Sequence, residues 1–185
     1  MADYSSEVLD IRPYLDMELF MGVSQESRVD GDTMDYMARL WEEWGPCLNV
    51  RTLKVGKIQY LAVWLDEAAE KRVDAVWDES PSSAYLAGSL AQVLVMCAVN
   101  QVLPEVQDAG CAPAPKPTDA LVEAMEAEGC PYNAEGTALS RRYAVVTHFP
   151  FKGACEICFL QKECPKGSGM GQDSGSFVLP GYERE

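Results

Sequence analysis

From Ala84 to Leu103 the chain runs for twenty residues without a charged side chain, and no other feature restricts its fold as much. A helix of that length is about 30 Å long, enough to cross a bilayer or to form the axis of a globular core. Gln92, Asn100 and Gln101 interrupt the run, Gly88 and Ser89 lie within it, and acidic Glu79, Glu105 and Asp108 flank it with no Lys or Arg close by. Membrane spans carry basic and aromatic anchors at their ends, whereas a helix that is apolar all round is typical of a buried central helix. The segment is therefore expected to be the buried axis of a water-soluble fold. It begins near Ser83, after the break at Ser80-Pro81, and ends at Pro104, because proline fits poorly inside a helix.

Other helices are expected around this axis. Asp32 reads as an N-cap with Asp35 in the capping-box position, and Met34, Met37, Ala38, Trp41 and Trp44 then share one face until Gly45-Pro46. The cluster Asp30-Gly31-Asp32 is not a calcium loop, since Met34 stands where the next ligand should fall. A short helix is expected near Tyr14 to Met21. Ile58, Leu61, Ala62, Leu65, Ala69, Val73 and Val76 keep helical spacing, which predicts one amphipathic helix over 57–78. Its first half, IQYLAVWL, alternatively pairs with LNVRTL as a hairpin across Lys54 to Lys57. Thr118 caps a helix carrying Leu121, Val122 and Met125, with Gly129 at its C′ position. Residues 142–149 (RYAVVTHF) are β-rich and predict a strand. The expected fold class is mainly α: about five helices around a buried central helix, a short β element and a C-terminal cysteine-ligated metal subdomain. The expected divisions are a helical core at 1–107, a Pro-rich linker at 108–117, a cysteine-cluster subdomain at 118–165 and a flexible tail at 166–185, in which Phe177, Val178 and Leu179 could dock.

Twenty-nine acidic residues against fifteen basic ones give a net charge of −14. Such a surface repels phosphate backbones and anionic headgroups, so neither nucleic acid nor a membrane surface is expected as a partner. The basic residues Arg141, Arg142, Lys152, Lys162 and Lys166 surround the cysteines; the arginine pair reads as solvated, or as a counter-charge to an anionic cluster or acidic partner. The N-terminus shows no basic stretch followed by an apolar one, which predicts no secretory leader and a cytoplasmic location. Seven cysteines in that setting point to metal ligands or redox thiols rather than to a disulfide framework.

Three of those thiols, Cys155, Cys158 and Cys164, form a C-x2-C-x5-C-P run. Two sulfurs two residues apart reach one metal or one cluster edge from a single turn of backbone, and a third five residues on closes another corner. A tetrahedral zinc or a cubane cluster needs a fourth ligand. Cys130, followed like Cys164 by proline, is the first candidate, with Cys111 and His148 in reserve. Ordinary buried thiols would be packed in apolar surroundings; charged Glu156, Lys162 and Glu163 here surround the triad. Structural zinc more often uses two pairs of cysteines, so the single pair favours a [4Fe–4S] cluster over zinc. Cys97, within VLVMCAVN, reads as core; Cys47 has no assigned role. The four tryptophans fit helical faces and read as core filling.

The triad resembles the C-terminal cysteine triad of iron–sulfur nucleases of the RecB type, the CRISPR-associated ones included. In those a distant upstream cysteine supplies the fourth ligand and the cluster staples the chain. The likeness covers residues 155–165 alone. No Asp…Glu-x-Lys core accompanies it and the acidic charge is wrong for a nuclease, so that activity is not implied. The residues support an iron–sulfur protein with a redox or sensing role that works with a protein partner. Two alternatives stay open: a non-enzymatic interaction protein stapled by zinc or a cluster, and a thiol oxidoreductase using Cys155 and Cys158. With one histidine and no Gly-rich phosphate loop, other catalytic classes have little to work with.

Overall fold

The computed structural model describes residues 3–134, 138–149, 155–162 and 164, the side chain of Glu79 excepted. The expected tail at 166–185 lies outside these, as do Lys152, Glu163 and Pro165. Six α-helices and four strands are found among the described residues: β1 (Tyr4–Val8), α1 (Met17–Ser24), α2 (Gly31–Trp44), β2 (Leu48–Val55), β3 (Ile58–Leu65), α3 (Glu67–Glu79), α4 (Pro81–Val102), α5 (Pro104–Ala109), α6 (Asp119–Ala127) and β4 (Tyr143–Phe149).

The strands form one antiparallel sheet in the order β1-β2-β3-β4. The expectation of a mainly α fold with a short β element is therefore wrong, and the protein is mixed α/β. The error lies at 57–78. Residues 58–65 are a central strand, hairpinned to β2 through Gly56 and Lys57, with Gly56 at φ +61°. Tyr60 to Leu65 are all buried, so both faces of β3 are apolar. A strand covered on both sides loses its two-residue alternation, and a continuous apolar run also satisfies helical spacing. Only the second half of the expected helix exists, as α3. Asp66 caps it by accepting a hydrogen bond from the Ala69 backbone N–H at 2.8 Å.

The alternation reappears in the packing. Leu61, Val63 and Leu65 of β3, with Val50, Ala144 and Val146, face a large core built with Phe20, Met37, Trp44, Val73 and α4. Tyr60, Ala62 and Trp64, with Leu53, Tyr143 and Val145, face a smaller core closed by Leu121, Ala124 and Met125 of α6. Helices thus cover both faces of the sheet. The uncharged run forms α4, whose eleven buried residues between Ala84 and Val99 pack against α1, α2, α3, β3 and β4. It is, among the described residues, the one helix long and apolar enough to cross a membrane, and here it is the axis of the larger core. Ser80 ends α3 and its side chain caps α4, with Pro81 in the first turn.

Two smaller expectations shift. The cap of α2 is Asp30, which accepts from the Thr33 N–H at 2.8 Å, not Asp32. Arg141 and Arg142 are ion-paired, Arg142 while still exposed: Arg141 lies 3.0 Å from the buried Glu70 carboxylate and 2.8 Å from Asp74, and Arg142 lies 3.0 Å from Glu70. Arg141 packs over Gly88 of α4, its Cδ 3.7 Å from where a Cβ would stand, an ordinary contact distance.

Candidate metal centre

Cys111 and Cys130 occupy equivalent places at the ends of two helices. At α6, Gly129 takes φ +77° and the N–H groups of Gly129 and Cys130 donate to the carbonyls of Glu126 and Met125, both at 3.0 Å. At α5, Gly110 takes φ +59°, and Gly110 and Cys111 donate to Gln107 and Val106 at 3.0 and 3.2 Å. Each is the glycine-ended Schellman closure, in which the residue after the glycine turns back on the last helical turn. The local chemistry is the same and the destinations differ.

Cys130 turns into the smaller core, between α6 and the sheet, and is 5% exposed. Burial there pushes its thiol up to about 12, opposed in part by a backbone hydrogen bond from Tyr132. Ionising it means placing a thiolate among Leu53, Met125 and Tyr143, which the apolar surroundings oppose. Cys111 leaves α5 on the opposite side of the sheet, where Ala112 packs on the larger core. Pro113, Ala114 and Pro115, in the stretch expected to be a linker, are buried.

The triad folds against that buried stretch. Cys158 N–H donates to the Cys155 carbonyl at 3.4 Å, Gln161 to Cys158 at 3.2 Å and Cys164 to Leu160 at 3.0 Å, so the run is a chain of tight turns. No α-helix starts at Cys155, and the helix N-terminus that lowers the first thiol of a redox C-x-x-C pair is missing from the described residues. Phe159 N–H donates to the Ala114 carbonyl at 2.8 Å, which ties the turns to the segment after Cys111. Between the two lies a groove of about 540 Å³, where Cys111, Cys158 and Cys164 stand among Ala112, Ala114, Ala138, Leu139 and Leu160. Cys155, half-buried like the others, opens the same run of turns.

The structure therefore places Cys111 on the same groove as Cys158 and Cys164 and leaves Cys130 on the other face of the sheet. His148 sits at the end of β4, at the register shift opposite Gln59 and Tyr60, and is not among the residues lining the groove. Its Nδ1 is buried with no hydrogen-bond partner among the described residues. As folded, no three His, Cys, Asp or Glu side chains among the described residues are close enough to hold one ion. The side-chain donors among the described residues lining the groove are all sulfur, a set that selects zinc or an iron–sulfur cluster over harder cations.

Fold and groove together define a mixed α/β protein with a thiol-lined cleft between a helix end and a run of tight turns. No protein-family model, curated protein or solved structure matches this chain.

Proposed function

We propose that this chain is a metal-cluster protein with a redox or sensing role, holding a [4Fe–4S] centre through Cys111, Cys155, Cys158 and Cys164. The observation that carries the reading is the groove shared by Cys111, Cys158 and Cys164. Cys111, the reserve candidate from sequence, takes the fourth corner in place of Cys130. Its thiol is half-buried at the groove, whereas using Cys130 would require taking it out of the smaller core. Ligand thiols converge fully only as the metal binds, and part of the binding free energy is spent on that closure. The bound cluster would supply one-electron chemistry. The chain's own part is to fix the turns through the Phe159–Ala114 hydrogen bond and to limit water with Ala112, Ala138 and Leu139. Exposure and hydrogen bonds to sulfur set the potential of such a centre, so these groups are where it would be tuned.

The direct test is the metal content of the full chain purified without oxygen. About four irons and four acid-labile sulfides per chain are expected, with a brown colour. Stoichiometric zinc without iron would replace the cluster by a structural zinc site on the same thiols and favour a non-enzymatic interaction protein. No bound metal at all would overturn the reading.

A further inference from the structure

We propose that the cavity enclosed by α1, α4 and α5 is a binding site for a small organic cation with an apolar body. This goes beyond the metal-site reading: the cavity adjoins the thiol groove, sharing Cys111, Ala112 and Leu139 with it, but its charged groups, Asp16 and Glu18, take no part in that groove. The cavity measures about 340 Å³, at the small end of the range for small-molecule sites. Its walls include Leu19, Met96, Val99, Val106 and Leu139, and its polar side chains are Asp16, Glu18, Asn100, Gln107 and the Cys111 thiol. That mix, an apolar body with a few convergent polar groups, is what small-molecule sites share.

The charge is one-sided. Asp16 and Glu18 are acidic, and no Lys, Arg or His among the described residues lines the cavity. Asn100 belongs to the last turn of α4, which ends at Val102, so the helix presents its negative end there. The opposing contribution is the N-terminus of α1, and Asp16 already meets it by accepting from the Leu19 N–H at 3.0 Å. An ammonium group is therefore favoured beside the two carboxylates, and an anion is opposed by them. Asp16 is half-buried and Glu18 exposed, so the preference comes mainly from Asp16, where partial desolvation makes it larger than in open water.

Isothermal titration and amide chemical shifts of the full chain, with 2-phenylethylammonium and 3-phenylpropanoate as the probes, test the site. The ammonium probe is expected to bind saturably, to shift resonances of Leu19, Val99 and Val106, and to bind at least about tenfold more tightly than the carboxylate, the result of losing two favourable charge contacts. Asp16→Asn with Glu18→Gln keeps a capping side chain, since asparagine also caps helices, and should remove most of that preference. Leu19→Trp, on a half-buried position, should fill the cavity and abolish binding while the melting curve stays cooperative. No saturable binding of the ammonium probe, equal affinity for both probes, or an undiminished preference in the double variant would overturn the proposal.

Discussion

Asp30 and Asp32 stand two residues apart at the start of α2, and either could cap it. Asp30 does, and Asp32 then falls in the first helical turn, where a negative side chain also suits the helix dipole. Asp30→Ala should lower the urea midpoint, and Asp32→Ala should leave it nearly unchanged; equal losses would return the cap to Asp32. The backbone hydrogen bond from Thr33 holds the Asp30 carboxyl below its ordinary value. Its contribution is therefore present above the ordinary carboxylate range and is lost as pH falls through the lowered value. The Asp30→Ala variant should lack that acid-side part of the loss. Glu70 carries a heavier role. It is 7% exposed and takes both Arg141 and Arg142 on Oε2, joining α3 to the start of β4. Glu70→Ala should cost about 2 kcal/mol in chemical denaturation, below the range for fully buried pairs because the arginines keep some solvent contact. A loss near zero would mean that the arginines are satisfied by Asp74 alone. Cys130 titrates in the opposite sense to Asp30: its raised thiol favours the folded state below the ordinary thiol range, and that contribution disappears as pH rises toward about 12. Cys130→Ala should show a shallower alkaline loss of stability than the unsubstituted chain.

Among the elements, sequence was most reliable where a single local rule decides the outcome. The uncharged run became α4, Thr118 caps α6 by accepting from the Leu121 N–H at 3.3 Å, Gly129 closes it, and RYAVVTHF became β4. It failed where tertiary burial hides the period. β3 lies between two other strands and is covered on both faces, so IQYLAVWL carries no alternation to read. β1 is an edge strand, YSSEV, largely exposed; it has one β-branched residue and no apolar repeat, and its pairing with β2 is set by the partner strand. The candidate site shows the same limit. Gly110-Cys111 and Gly129-Cys130 both follow helices and both form the same closure, so local chemistry cannot rank them. A further signal was present at Cys130: it extends the apolar stripe of Leu121, Ala124 and Met125, the hydrophobic contact that accompanies a Schellman closure. The tertiary position of Cys111, held beside the triad through Ala114 and Phe159, has no local signature.

For the molecule as a whole, the buried members of both hydrophobic cores lie between Phe20 and Val146, and none among the described residues comes from the cysteine turns at 155–164. Removing a bound metal should therefore leave the circular dichroism of the helices and sheet in place, while protease cleavage near the turns accelerates, since the proposed metal would tie that segment to Cys111 and not hold either core. A single cooperative loss of all structure on chelation would show instead that the metal supports the entire fold. The most direct measurement of the central claim is metal retention in two single variants of the anaerobically purified chain, Cys111→Ser and Cys130→Ser, each with its melting curve. The account predicts that Cys111→Ser loses most of its bound metal with little change in melting. It predicts that Cys130→Ser keeps its metal and melts earlier, because a hydroxyl replaces a thiol in an apolar core. Metal lost from Cys130→Ser and kept in Cys111→Ser would contradict it.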